Sequence, residues 1–286
     1  MVDGSGQAEI RGLDIDKLLL GFADEEIVFK RHVKQTTTSA REMRWYQKTS
    51  GLIAVTSPAV TANVAELAKP FTYEQTSTRN TSYVRKYMVE SPIISEEDIK
   101  DSDIDVLAMN VRDLVRRIEA DVDVRIYNVI TEDQTAVNIN TAAATAAWNN
   151  SPNIIKDLMN GKTLIRQQGY NPEGAVCAMT PAAHSLMIQY LIDTKGSSIP
   201  AFASEKIETG VVMNLLGLNI LVSQNVVSGS IAIWIPNTSA TWKTFSPLKS
   251  ALIEEKLIGT TIRVSEEGEA ILHDPKSVFL LTGVGA

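Results

Sequence analysis

Three histidines and one cysteine are the side chains in this 286-residue sequence best suited to metal or nucleophilic chemistry. His32, His184 and His273 lie far apart, and none has a second ligand-type residue at short helical spacing. Each reads as an isolated structural histidine, with His184 packed inside a helix. Cys177 sits in the apolar run Val176, Ala178 and Met179, which predicts a buried strand and not an activated thiolate; a lone cysteine also permits no internal disulfide. The carboxylates Glu254, Glu255, Glu266, Glu267 and Glu269 are dense enough for an acid/base pair or a cation site. The favoured reading is a solvated face, with Gly268 at a hairpin turn. Lys30, Arg31 and Lys34 lack the aromatic interleaving of a nucleic-acid surface, and acidic Asp24, Glu25 and Glu26 just ahead of them suggest a helical turn with acid first and base last. Phosphate-binding glycine loops, HExxH and GxSxG are all absent. The expectation is therefore no catalytic, cofactor or metal site, and a protein that is not an enzyme.

The elements that would position any site are organised around residues 95–131. Ile104, Leu107, Val111, Leu114, Ile118, Val122, Ile126 and Val129 recur every three or four residues, which puts them on one stripe of a long helix over 103–131. Asp105, Arg112, Asp113, Arg116, Glu119 and Asp123 form the opposite, charged face. Ser95 with Asp98 reads as a capping box for a short helix ahead of the long one. Before this, a helix is expected from Asp14, residues 42–48 and 52–56 read as short strands, and 82–94 as a strand leading into the long helix. After it, Ser151-Pro152 starts a helix that ends at Gly169, 174–179 is a buried strand, and Thr180-Pro181 starts another helix. Strands are expected at 218–223, 230–235, 252–258, 260–265, 269–272 and 277–282, with a polar loop over 193–210.

A hydrophobic fraction of 44% and a mean hydropathy of −0.02 exclude general disorder, and no stretch is long and apolar enough to span a membrane. The N-terminus has neither a basic nor an apolar signal region, so synthesis in the cytoplasm is expected. The net charge of −7 argues against phosphate-backbone binding as the main task. Its distribution is uneven: residues 35–92 carry seven basic and four acidic side chains, while 93–131 carry five and ten.

Taken in order, several stretches resemble the major capsid proteins of tailed double-stranded DNA viruses, which share the HK97 fold. VAELAKP at 64–70 leads through a Thr/Ser-rich segment and a strand into the long helix, as that family's E-loop leads into its P-domain spine. The strand, Thr-Pro cap and helix of 174–191 resemble its A-domain unit, as does LLGLNILVSQNVVSGSIAIWI at 215–235. The last strands resemble those that close the P-domain.

The resemblance implies an α+β fold with an N-terminal arm at 1–34, an extended E-loop hairpin at 35–80, a P-domain from 81–131 and 247–286, and an inserted A-domain at 132–246. It implies a structural protein that self-assembles through hexamers and pentamers into an icosahedral shell around double-stranded DNA, found in the virion and, during assembly, in the host cytoplasm. Partners would be a portal protein and a separate scaffolding protein, since no long scaffolding segment precedes the arm; nor does the start at Met1 suggest maturation cleavage. Subunit-interface candidates are Arg41, Arg44, Trp45, Tyr46 and Lys48 on the loop, facing Asp101, Asp103 and Asp105 of a neighbour. Lys48 lies where some members form crosslinks, but nothing marks its partner. Two other readings compete: an encapsulin-like nanocompartment around protein cargo, and an α/β enzyme with 193–210 as a lid.

Overall fold

A computed structural model describes residues 19, 28–52, 64–69, 76–95, 105–131, 139–149, 153–195, 214–255 and 258–285. The described residues build two larger sheets, a hairpin and three helices. The first sheet has the order β1-β11-β12-β4, where β1 is Lys34–Thr37, β4 Arg85–Glu90, β11 Ala240–Glu255 and β12 Gly259–Leu272; the short β5, Ile94–Ser95, also pairs with β12. The second has the order β6-β13-β10-β7-β9-β8, with β6 Asn140–Ala143, β7 Val176–Met179, β8 Asn214–Leu215, β9 Leu218–Val222, β10 Ser230–Trp234 and β13 Val278–Thr282. β2, Glu42–Lys48, pairs antiparallel with β3, Ser77–Tyr83, as a separate hairpin.

Helix α1, Asp105–Thr131, ties the two sheets together. At about 1.5 Å per residue it is roughly 40 Å long. Two adjacent rows at i,i+4 spacing are buried along it. One is Leu114, Ile118, Val122, Ile126 and Ile130, and the other is Val111, Val115, Glu119, Asp123, Tyr127 and Thr131. Against these rows pack Trp242, Ile262, Val264, Ala270 and Leu272 of the first sheet, and Val176, Ala178, Ala232, Trp234, Val278 and Leu280 of the second. The other face of the second sheet, including Cys177, Met179, Ile231, Ile233, Phe279 and Leu281, packs on α2, Ile154–Gln167, and α3, Pro181–Tyr190. Its central strands are apolar on both faces because helices cover both. At Gly161 of α2 a Cβ would lie 2.6 Å from the Phe279 ring, so this close helix–sheet approach needs glycine. Thr180 caps α3 by accepting a hydrogen bond from the Ala183 amide at 3.2 Å.

Several expectations need correction. Residues 252–272 are not three strands with a turn at Gly268. They lie in the long antiparallel pair β11–β12, which starts at Ala240 and turns between Glu255 and Gly259. Gly268 is inside β12, where a Cβ would strike the Trp242 indole from the neighbouring strand; its small size serves a close approach and not a turn. The stretch 82–94 is divided among β3, β4 and β5. Ser95 is a strand residue paired with Gly259 and not a free helix cap, and the short helix expected after it lies outside the described residues. A boundary at 246/247 would cut β11. β13 also sits inside the second sheet, next to its β6 edge and between β6 and β10, where VFLLT is covered on both faces. Residues 193–195 are not loop but end a π-helical turn, Leu191–Lys195, that follows α3; the rest of 193–210, the helix from Asp14 (except Leu19) and most of 52–56 lie outside the described residues.

Candidate functional site: a buried charge cluster and a one-sided hairpin

The charged groups of α1 and β12 are not all at the surface. Glu119 and Asp123 are each only 1% exposed, and Glu266, Glu267 and Glu269 are also buried, which corrects the reading of both as solvated faces. Glu119 and Asp123 belong to the second i,i+4 row, between Val115 and Tyr127, and Glu266 shares the helix-facing side of β12 with Val264 and Ala270. They tolerate burial because cations and amide donors meet them there.

Segment 28–33 supplies the innermost of these partners. Lys30 belongs to a single turn, Lys30–His32, and is itself buried, so it is not the exposed end of a helix. Its Nζ lies 2.6 Å from Glu266 Oε1, 3.4 Å from Glu119 Oε1 and 5.6 Å from the centre of the Trp242 ring. The Asp123 carboxylate accepts the backbone N–H groups of Val28 at 3.2 Å and Phe29 at 3.1 Å. Phe29 then inserts between Tyr127 of α1 and Trp234 of β10, with ring centres 5.9 and 5.8 Å away, and Trp234 Nε1 donates to the His32 carbonyl at 3.3 Å.

One ammonium thus serves a cluster of three carboxylates. Burial pushes the Glu119 carboxyl up to about 7, against the pull of Lys30 and with the help of Glu266 and Asp123. Burial likewise raises Asp123 to about 6, although the amide bonds to segment 28–33 favour its charged form. Glu119 Oε2 and Glu266 Oε2 are buried without hydrogen-bond partners.

Further out, Glu267 meets Arg41 at 3.4 Å and Lys86 at 3.9 Å, and Glu269 meets Arg125 at 2.7 Å and Arg85 at 3.1 Å. The Arg41 guanidinium also stacks 4.9 Å from the Phe245 ring centre. Tyr87 of β4 is pushed up to about 12, first by burial and then by Glu269.

The β2–β3 hairpin rests on the body by one face. Trp45 Nε1 donates to the Leu272 carbonyl at 3.0 Å, the Lys48 amide donates to the His273 carbonyl at 3.0 Å, and the Lys48 ammonium lies 3.5 Å from Asp274. Met43 and Gln47 are buried on this side, and Asn80 donates to the Gln47 side chain at 2.7 Å. The opposite face alternates with it and carries Arg44, Tyr46, Arg79 and Tyr83. Tyr46 is 67% and Tyr83 66% exposed, and Arg44 makes a surface pair with Glu42 at 2.7 Å.

Of the residues singled out by sequence, Arg41, Trp45 and Lys48 therefore engage their own chain, while Arg44 and Tyr46 face outward. Asp105 is the first residue of α1, and Asp101 and Asp103 lie outside the described residues. Sequence reasoning missed Lys30, Glu119, Asp123 and Glu266 as a group. The available signal was the apolar Val111, Val115 and Tyr127 at four-residue steps on either side of Glu119 and Asp123.

The rest of the potential chemistry is structural. The Cys177 thiol, fully buried in β7, is pushed up to about 12 by burial. Burial also lowers His32 and His273, and His184 is a buried residue of α3. Among the described residues no three His, Cys, Asp or Glu side chains are grouped to hold a metal ion, and no helix is long and apolar enough to cross a membrane.

A long helix shared by two sheets, a one-sided hairpin ahead of it and a long antiparallel pair returning late in the chain define the HK97-like class of capsid subunit. The chain belongs to the phage capsid protein family, whose model matches residues 93–267. Its structure is similar to the virus-like particle from Pyrococcus furiosus (12% identity, 94% of this chain and 98% of that one, TM-score 0.63). It is also similar to the capsid of the cyanophage P-SCSP1u (12% identity, 90% and 88%, TM-score 0.64). A phage-related protein from Bordetella bronchiseptica matches at 13% identity over 96% and 97% of the two chains, with a TM-score of 0.63. At these identities the likeness is one of fold. No curated protein sequence matches significantly. The family indicates a structural role, in a virion, as part of an oligomeric shell.

Proposed function

We propose that the chain is the repeating subunit of an icosahedral shell that encloses double-stranded DNA, built from hexamers and pentamers in the host cytoplasm. The observation that carries this reading is the hairpin. Two strands alone are marginally stable in water, and this pair is supported by its own chain on one face only. Its other face presents two exposed tyrosines among arginines, a surface suited to being covered by the next copy. In this reading residues 1–34 act as an arm, 35–80 as the E-loop and α1 as the spine of a P-domain, with α2, α3 and most of the second sheet as an A-domain. Arg44 and Tyr46 contact a neighbour, with Asp101, Asp103 and Asp105 as the candidate acidic partners, while Arg41, Trp45 and Lys48 seat the hairpin on its own subunit. A portal protein and a scaffolding protein would complete the assembly.

Electron microscopy of the purified protein, with nucleic acid absorbance of the same fractions, tests the proposal. Closed particles containing DNA are expected when the chain is made together with the other assembly proteins; small oligomers alone under those conditions would refute it. The likeness to a virus-like particle over 94% of the chain favours one second reading, a nanocompartment around protein cargo. Closed particles that hold protein and no nucleic acid would select it.

A further inference from the structure

The cluster around Lys30 is unbalanced in a way the shell reading does not use. Glu119 is faced by Lys30 from segment 28–33, by Glu266 from β12 and by Asp123 from its own helix. Lys30 is the cation seen paired with Glu119 and Glu266. Arg125, further along α1, is engaged by Glu269, Trp242 of β11 offers only its ring, and Tyr87 of β4 is a neutral phenol at physiological pH. With all three carboxylates ionised, one positive charge would face three negative ones in a space closed to water. The Oε2 atoms of Glu119 and Glu266 are both unpartnered, and a proton on Glu119 relieves that excess.

The same cluster holds segment 28–33 in place. Its other described polar ties to the body include the Val28, Phe29 and Lys30 amides donated to Asp123 and the Trp234 bond to the His32 carbonyl; Gln35 donates to the Lys30 carbonyl from β1. The cheapest way to admit water and counter-ions to an over-charged cluster is to lift this segment, since α1 and β12 are fixed by their own hydrogen-bond ladders. We infer that segment 28–33 is a proton-operated latch: a proton on Glu119 keeps it seated on α1 and β12, and loss of that proton releases it. The latch is a property of the subunit and stands apart from the question of what the shell encloses. In a shell it would let pH set how firmly the start of the chain is held to the subunit body. The direction is fixed by the charge count: acid seats the segment and alkali frees it. The raised Glu119 carboxyl puts the change near neutral pH.

Hydrogen exchange of the Val28 and Phe29 amides in the full chain, corrected for the intrinsic pH dependence of exchange, reads the latch directly. Between about pH 5.5 and 8.5 their protection should fall at least about tenfold, while amides of β10 and β13 keep theirs. Glu119→Gln and Glu266→Gln each leave Lys30 with one fewer acidic neighbour, so each should flatten the response. Lys30→Met should abolish protection of these amides at both pH values. Equal protection in the native chain at both pH values overturns the inference, as does a fall in both glutamine variants as large as in the native chain. Should neither glutamine variant fold, the native transition decides: a midpoint between about pH 6 and 8 supports the latch, and one outside that range overturns it.

Discussion

Burial of Glu119 and Asp123 beside Lys30 and Glu266 makes stability depend on pH in an unusual direction. Buried glutamate and aspartate here hold protons up to about 7 and 6, whereas unfolded ones release them near 4.5 and 3.8. Across that interval the folded chain binds more protons than the unfolded one, so the contribution of these groups is complete below the unfolded values and is lost as pH rises through 6 and then 7. Urea midpoints measured from pH 5 to 8 should therefore fall more in the native chain than in Glu119→Gln, by the equivalent of about 1–3 kcal/mol. Gly268 makes a second point at the same scale. Alanine there should cost about 1–3 kcal/mol by forcing Trp242 off its neighbour, measured as a lower denaturation midpoint with an unchanged slope. Neither fact was legible from residue type. An acidic pair on a helix and a Glu-Glu-Gly-Glu run both read as surface, and it is partners mostly from distant segments, Lys30 and its neighbouring amides, Arg41, Arg85, Lys86 and Arg125, that make their burial tolerable.

At the scale of elements, legibility followed periodicity. The long helix, β2, β7 and the capped α3 were readable because each stripe or alternation is local, and Thr180 announces α3 in the three residues before its first turn. The β11–β12 pair was not, since ATWKTFSPLKS mixes polar and apolar residues where bulges shift the register between Thr244 and Lys249. A hairpin is expected over 35–80, but with strands at 42–48 and 52–56; the partner of β2 is instead Ser77–Tyr83, whose polar STRNTS gives no strand signal, and the two faces are not distinguished. Their separation gives a testable division of labour. Trp45→Ala removes a bond to Leu272 and the ring behind it, so hydrogen exchange in β2 and β3 should speed up in the free subunit. Arg44→Glu with Tyr46→Ser alters only the outward face. That double variant should keep the native circular dichroism and melting behaviour while failing to form particles by light scattering; normal assembly would remove the hairpin's outer face from the interface.

For the whole molecule, the charge asymmetry between residues 35–92 and 93–131 is expressed in two ways. Part of the basic charge of 35–92 is met within the chain, though by β12 and not by 93–131, through Arg41, Arg85 and Lys86 on Glu267 and Glu269. The remainder, with Arg44 and Arg79 on the outer face, is available between copies. An exposed pair contributes only about 0–1 kcal/mol, but a shell repeats it at every contact. Raising salt from about 0.1 to 1 M shortens the screening length from about 10 to 3 Å, so assembled particles should loosen while the free subunit's melting temperature changes little. Particle scattering and subunit melting at the two salt concentrations separate these effects. The overall architecture was legible because the order of elements carries it, whereas the position of β13 was not: strand pairing between residues about 140 positions apart leaves no local trace. That position has a consequence for synthesis. β13 lies between β6 and β10, so while a ribosome is still making the chain, β10, β7, β9 and β8 can already pair, but β6 has no strand to join until residue 282 has emerged. α1 lacks Val278 and Leu280, and α2 lacks Phe279, until that point. The last edge of the second sheet is thus closed only when the chain itself is complete.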